Sequence, residues 1–175
     1  ITLGIVYILF AAFAIVAFTN AVNISDGLDG MAAGLLVICL VAFLAIAGDI
    51  LDPFLSLFIA ILLGSTLAFL YFNIYKARIW LGDVGALSLG AVLAVIGLLT
   101  GKPLPVALIG GVFVIEIGSS LLQILSRTFF GKRILPVAPI HLYFLKRGWE
   151  EPKIVMRAWL LGTVFALLGL YIAFL

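Results

Sequence analysis

Six apolar runs make up most of this chain: Ile1 to Thr19, Met31 to Ala47, Phe54 to Phe72, Val84 to Leu99, Leu104 to Ser126 and Val155 to Leu175. Each approaches the roughly 20 residues that an α-helix needs to cross a hydrocarbon core about 30 Å thick. In lipid every backbone N–H and C=O must be paired internally, which leaves only helices or a closed barrel. The polar–apolar alternation of an outer-membrane barrel is missing, so the runs are read as transmembrane helices. With 66% hydrophobic and 10% charged residues and a mean hydropathy of +1.39, an ordinary soluble domain is excluded. The fold class expected is all-α, a polytopic membrane helix bundle, with residues 1–175 forming one transmembrane domain. The chain lacks an initiator Met and opens inside an apolar run, so it reads as a fragment.

Little of the chain is left for chemistry, and the polar residues that remain are concentrated. Asn20 to Gly30 reads Asn-Ala-Val-Asn-Ile-Ser-Asp-Gly-Leu-Asp-Gly between the first two spans. Charged groups at membrane depth are costly and normally face a partner, a cavity or water, which makes Asp26 and Asp29 functional candidates. A turn in which Ser25 or Asp29 caps the next helix accounts for one carboxylate but not for the whole set. Cys39, the single cysteine, lies in an apolar run with no metal-ligand spacing around it and is read as a core residue.

Basic residues set the orientation. Lys76, Arg78, Arg127, Lys132, Arg133, Lys146, Arg147, Lys153 and Arg157 fall on one side of the spans and only Lys102 on the other. The positive-inside bias therefore places those loops and the Asn20 to Gly30 loop in the cytoplasm, with both chain ends outside. The basic residues sit in short loops rather than along a stripe, and nucleic acid is excluded as a partner.

Spans two and four both begin at the cytoplasmic face, so their positive dipole ends point into the space holding Asp26 and Asp29, a setting suited to phosphate. The second cytoplasmic loop, Phe72 to Gly85, contains Asn73, Trp80 and Asp83. Asp83 suits a helix cap. It suits Mg²⁺ better, because that ion takes one or two carboxylates together with waters and substrate phosphate oxygens.

Three stretches, NAVNISDGLDG at 20–30, FNIYKARIWLGDVG at 72–85 and GKRILPVAPIHLYFLKRGWEEPKIVMR at 131–157, resemble the phospho-N-acetylmuramoyl-pentapeptide transferase family in order and content. The resemblance runs along the whole chain and corresponds to the last six of that family's ten helices. It implies transfer of the phospho-sugar of UDP-MurNAc-pentapeptide to undecaprenyl phosphate, with release of UMP and a need for Mg²⁺, in the bacterial inner membrane. It further implies a homodimer. By the same match Asp83 holds Mg²⁺, Asp26 is an essential acid and His141 is the first residue of a catalytic histidine triplet. Asn20, Asn23, Gly27, Leu28, Asp29 and Asn73 line the nucleoside and its surroundings. Trp80 stands where the family has a Phe stacked on uracil, and it keeps a flat π face; an interfacial membrane anchor is its other reading.

The chain departs from the family at several points. His141 is followed by Leu142 and Tyr143 instead of two more histidines, Lys76 replaces a Pro and Ala86 a Ser, and no Asp-Asp pair occurs. The resemblance assigns that pair to the four N-terminal helices of a longer protein. Two other readings compete: a related transferase moving another UDP-N-acetylhexosamine phosphate, and a non-catalytic scaffold or degenerate paralogue.

Glu116, Ser119, Ser120 and Gln123 recur at helical spacing inside the fifth span. Such a stripe is expected to be a helix-packing network rather than a substrate site. The mixed aromatic and basic stretch Val137 to Glu151 is read as a segment lying on the membrane interface, facing lipid headgroups or a diphosphate. His141, within it, is either packed structure or a group that approaches the diphosphate.

Overall fold

The computed structural model describes residues 4–50 and 52–175, all but Pro103 with their side chains. These residues form eight helices: α1 (Gly4–Ser25), α2 (Met31–Asp49), α3 (Pro53–Asn73), α4 (Gly82–Leu99), α5 (Pro103–Ile109), α6 (Gly111–Phe130), α7 (Ile140–Lys146) and α8 (Glu151–Ala173). Among the described residues there is no strand, and six helices are long and apolar enough to cross a membrane.

The six expected spans are present with three changes. α1 continues past Thr19 to Ser25, so the first polar residues of the 20–30 stretch occupy the last turns of a helix rather than a loop. The side chains allow this extension, because Asn20 and Ser25 donate to the carbonyls of Val16 and Ala21 one turn back and meet their polar needs inside the helix. The run from Leu104 to Ser126 breaks at Gly110 into α5 and α6. The basic stretch after it contains α7, whose seven residues gave no clear periodic signal in the sequence.

Helices apolar all round have no preferred face, so packing is decided by shape and small residues. α2 runs through the middle, with most of its side chains from Met31 to Ala47 buried, and packs against α3, α8 and α4. α1 lies against α4 and α6, and α5 against α8. Two glycines show how close the helices approach. A methyl group at Gly90 of α4 would lie 2.6 Å from the carbonyl oxygen of Phe18 in α1, and one at Gly34 of α2 would lie 2.2 Å from the indole of Trp159 in α8. Either would push helices apart and forfeit the close van der Waals contact on which association in lipid depends.

Each end of the bundle is closed differently. At one end Asp52 caps α3, its carboxylate accepting from Leu55 N–H at 2.9 Å, and the Lys102 ammonium donates to the carbonyl of Ala173 at the C-terminus of α8. A cation at that helix end meets both free carbonyls and the negative end of the dipole. The other end gathers the end of α1, the start of α2, the end of α3, the start of α4, α7 and the start of α8.

Candidate active site

The turn between α1 and α2 is the floor of this second end. Gly30 adopts φ +78°, which favours glycine, and starts α2 without a side-chain cap. Neither Ser25 nor Asp29 therefore serves as that helix's cap, and the capping reading of the stretch is replaced. The turn is instead held by distant residues. Gly30 N–H donates to Asn73 Oδ1 at 3.2 Å, Gly30 C=O accepts from Trp159 Nε1 at 3.2 Å, and Asp29 N–H donates to Glu151 Oε1 at 2.6 Å. Asn73 is buried, and its amide also donates to Ile79 C=O at 2.9 Å, tying the second loop to the first.

Asp29 joins the loops through its side chain. One oxygen accepts from Ala77 N–H at 2.9 Å and the other from the Trp80 indole N–H at 3.2 Å. With both oxygens engaged, Asp29 orients the 77–80 segment. Trp80 is 67% exposed and held by its edge through that N–H, which leaves its ring accessible to a partner.

Asp83 lies in the first turn of α4, but the helix has no side-chain cap. Its Oδ1 accepts instead from Asn23 Nδ2 at 3.1 Å, linking the end of α1 to the start of α4. Asp26 is half-buried, and its carboxyl is pushed up to about 6, first by burial and then by the negative charges of Asp29 and Asp83. Three carboxylates thus share one space with the N-terminus of α4, and the repulsion among them is a demand for positive charge.

His141 comes to the same place from below. Its ring, 2% exposed, lies against the 26–30 turn: a methyl group at Gly27 would be 2.8 Å from Nε2. On its other side Nδ1 lies 2.9 Å from Glu116 Oε2. The ring points into the bundle beside the residue that follows Asp26, not into lipid. Leu28 is buried beneath the turn.

Asn20 is not brought into this group. Exposed on α1, it lines an apolar cavity of about 620 Å³ between α1, α5 and α6, walled by Phe13, Phe18, Val106, Ile117 and Leu121. That cavity contains none of the carboxylates.

Basic and aromatic residues flank the site. Trp149 stacks on Phe144 at 4.6 Å, with Arg157 and Lys153 over its ring at 4.2 and 5.6 Å, and Arg147 lies over Tyr143 at 4.7 Å. Such contacts hold the cations near the site without neutralising them.

Sequence reasoning missed Glu151 and Trp159 as supports of the turn. Glu151 looks like an ordinary first-turn acid and Trp159 like one more apolar residue of a span, and their partners lie 122 and 129 residues away. The polar stripe of α6 is a packing network, as expected, but with a different partner. Ser119, Gln123 and Glu116 hold the following loop and α7 rather than a neighbouring long helix, while Ser120 lines the apolar cavity.

Among the described residues, no three His, Cys, Asp or Glu side chains form a metal-binding set by themselves. Mg²⁺ does not require one, since water and phosphate complete its shell, and the carboxylates of Asp26 and Asp83 gathered beside one another fit such an ion.

Comparison with known proteins agrees with this architecture. Residues 1–101 match the profile of glycosyl transferase family 4. The chain is 42% identical over 186 residues to the phospho-N-acetylmuramoyl-pentapeptide-transferase of Brachyspira hyodysenteriae, covering 97% of this chain and 49% of that protein. It is 40% identical over 172 residues to the protein of the same name from Acetivibrio thermocellus, covering 98% and 52%. With the protein of that name from Rickettsia akari the identity is 41% over 184 residues, covering 96% and 51%. The chain spans about half the length of the curated relatives it matches. An all-helical bundle with its carboxylates gathered at one end, matched by that profile over more than half its length, belongs to glycosyl transferase family 4.

Proposed function

We propose that the whole protein, with four further helices N-terminal to this chain, transfers phospho-MurNAc-pentapeptide from its UDP-sugar to undecaprenyl phosphate and releases UMP. The observation that carries the reading is the meeting of Asn23, Asp26, Asp29 and Asp83 at one end of the bundle, joined by the 3.1 Å Asn23–Asp83 hydrogen bond. The names of the relatives supply the substrate class. The distribution of basic residues supports a site on the cytoplasmic side, the bacterial relatives support an inner membrane, and the resemblance to the transferase family implies a homodimer.

In this mechanism the lipid phosphate attacks the β-phosphorus of the nucleotide sugar, the bond to the UMP oxygen breaks, and UMP leaves. Catalysis of this kind is chiefly positioning and charge stabilisation. Asp83, with Asp26 beside it, would hold Mg²⁺, which when bound neutralises diphosphate charge. Trp80, held edge-on by Asp29, offers its face to the uracil. Asn23 fixes the rotamer of Asp83, and Asn73 and Glu151 keep the turn in place. The N-terminus of α4 and the basic residues around Trp149 draw the anionic substrate toward the cleft.

The test is UMP release by the full-length protein in lipid nanodiscs, with UDP-MurNAc-pentapeptide and undecaprenyl phosphate, in Mg²⁺ and in EDTA. Release that needs both substrates and the metal is expected. Turnover of UDP-N-acetylglucosamine in place of the muramoyl substrate would assign another sugar, and no release with either would make the protein a scaffold.

A further inference from the structure

Glu116 is a carboxylate buried within a membrane-crossing helix, away from the helix ends, and nothing in the proposed reaction uses it. Such a group calls for a partner and a purpose. It belongs to a row of polar contacts along α6 that fasten the next segment of chain. Ser126 Oγ donates to Lys132 C=O at 2.8 Å. Gln123 accepts from Ile134 and Leu135 N–H at 3.1 and 3.0 Å and donates to Leu135 C=O at 2.8 Å. Ser119 Oγ accepts from Ile140 N–H at 3.1 Å, and the row ends at the 2.9 Å contact between Glu116 Oε2 and His141 Nδ1.

The row returns the chain along α6 and delivers one imidazole to the underside of the Asp26–Gly27 turn. A histidine's free nitrogen is defined by what its other nitrogen binds. A carboxylate oxygen on Nδ1 favours the tautomer that carries its proton there, and leaves Nε2 as the ring's free nitrogen. Nε2 faces Gly27.

We propose that Glu116 is a positioning residue for His141: it holds the Nδ1–H tautomer and aims Nε2 at the carboxylate turn where the transferred phosphate binds. The inference rests on the phosphoryl-transfer reading of that cleft. Glu116 itself touches no substrate. Its removal should therefore act only through His141.

The test uses the full-length enzyme in nanodiscs. Glu116→Ala should lower kcat at least roughly 30-fold while KM for the UDP-sugar changes less than about threefold, the pattern of a lost transition-state contribution. His141→Ala should do the same. The double variant should be no slower than His141→Ala within about twofold, because residues acting as one unit are not additive. If Glu116→Ala does not fold, Glu116→Met, which fills the space but offers Nδ1–H no oxygen, takes its place in the cycle. Independently of turnover, ¹⁵N-histidine NMR, assigned by the signal lost in His141→Gln, should find Nδ1 protonated in the wild type and a mixture of tautomers without Glu116. Additive losses, an undiminished kcat in either single variant, or a wild-type ring with bare Nδ1 would overturn the proposal. A wild type that transfers no sugar phosphate defeats the functional reading instead, and the tautomer then decides the pairing alone.

Discussion

Asp26→Asn should make the protein more stable and inactive. The folded carboxyl titrates at about 6 against an ordinary value of 3.8. The folded state therefore binds the proton more tightly than the unfolded state, and stability falls as pH rises from about 4 to about 6 and is flat above. The difference of about 2 pH units, at 1.36 kcal/mol each, has an upper bound of about 3 kcal/mol. Because Asp26 is only half-buried, solvent screening reduces this to on the order of 1 kcal/mol. Asn is nearly isosteric and carries no charge against Asp29 and Asp83, so it removes the cost at neutral pH and changes little at pH 4, where the wild type is protonated. The assay is thermal unfolding of full-length protein in detergent with EDTA, at pH 4.0 and pH 7.5. The expected result is a Tm for Asp26→Asn a few degrees above wild type at pH 7.5, converging at pH 4.0, with UMP release abolished. A Tm difference equal at both pH values, or of opposite sign at pH 7.5, would refute the claim that carboxylate repulsion and burial act on Asp26.

The same geometry sets the outcome of substitutions at three further positions. Asp83→Asn keeps the shape of the side chain and its contact with Asn23 but loses its charge, so it should abolish Mg²⁺-dependent turnover with the fold intact by circular dichroism. Trp80→Ala should raise KM for the UDP-sugar roughly tenfold, since base–aromatic stacking is worth about 1 to 3 kcal/mol. Trp80→Phe should fall between, keeping the face but losing the hydrogen bond to Asp29, as steady-state kinetics would register. Gly27→Ala places a methyl group 2.8 Å from a ring already held by Glu116, and should lower kcat or cost about 1 to 3 kcal/mol of stability by denaturant titration.

Long apolar runs bounded by polar residues and glycines determined the six membrane helices, because hydrocarbon leaves a backbone no alternative to internal hydrogen bonding. The same scarcity of polar residues made Asp26, Asp29 and Asp83 legible as candidates, whereas Asn73 was legible only through the resemblance to the transferase family. It also made the 20–30 stretch look more loop-like than it is: Asn20 and Ser25 bond back within α1, and no pattern of residue types distinguishes that from a loop.

What tertiary structure alone decided is who holds whom. Asn20 and Asn23 sit three residues apart on one helix, yet the packing of α1 between α4 and α6 turns Asn23 to Asp83 and Asn20 to an apolar cavity. Glu151 and Trp159 became supports of a turn more than 120 residues earlier, and the stripe on α6 became the seat of His141. Periodicity reports which side chains share a helix face, but a helix apolar on every side does not encode which neighbour that face will meet; close packing at small residues such as Gly34 and Gly90 settles it.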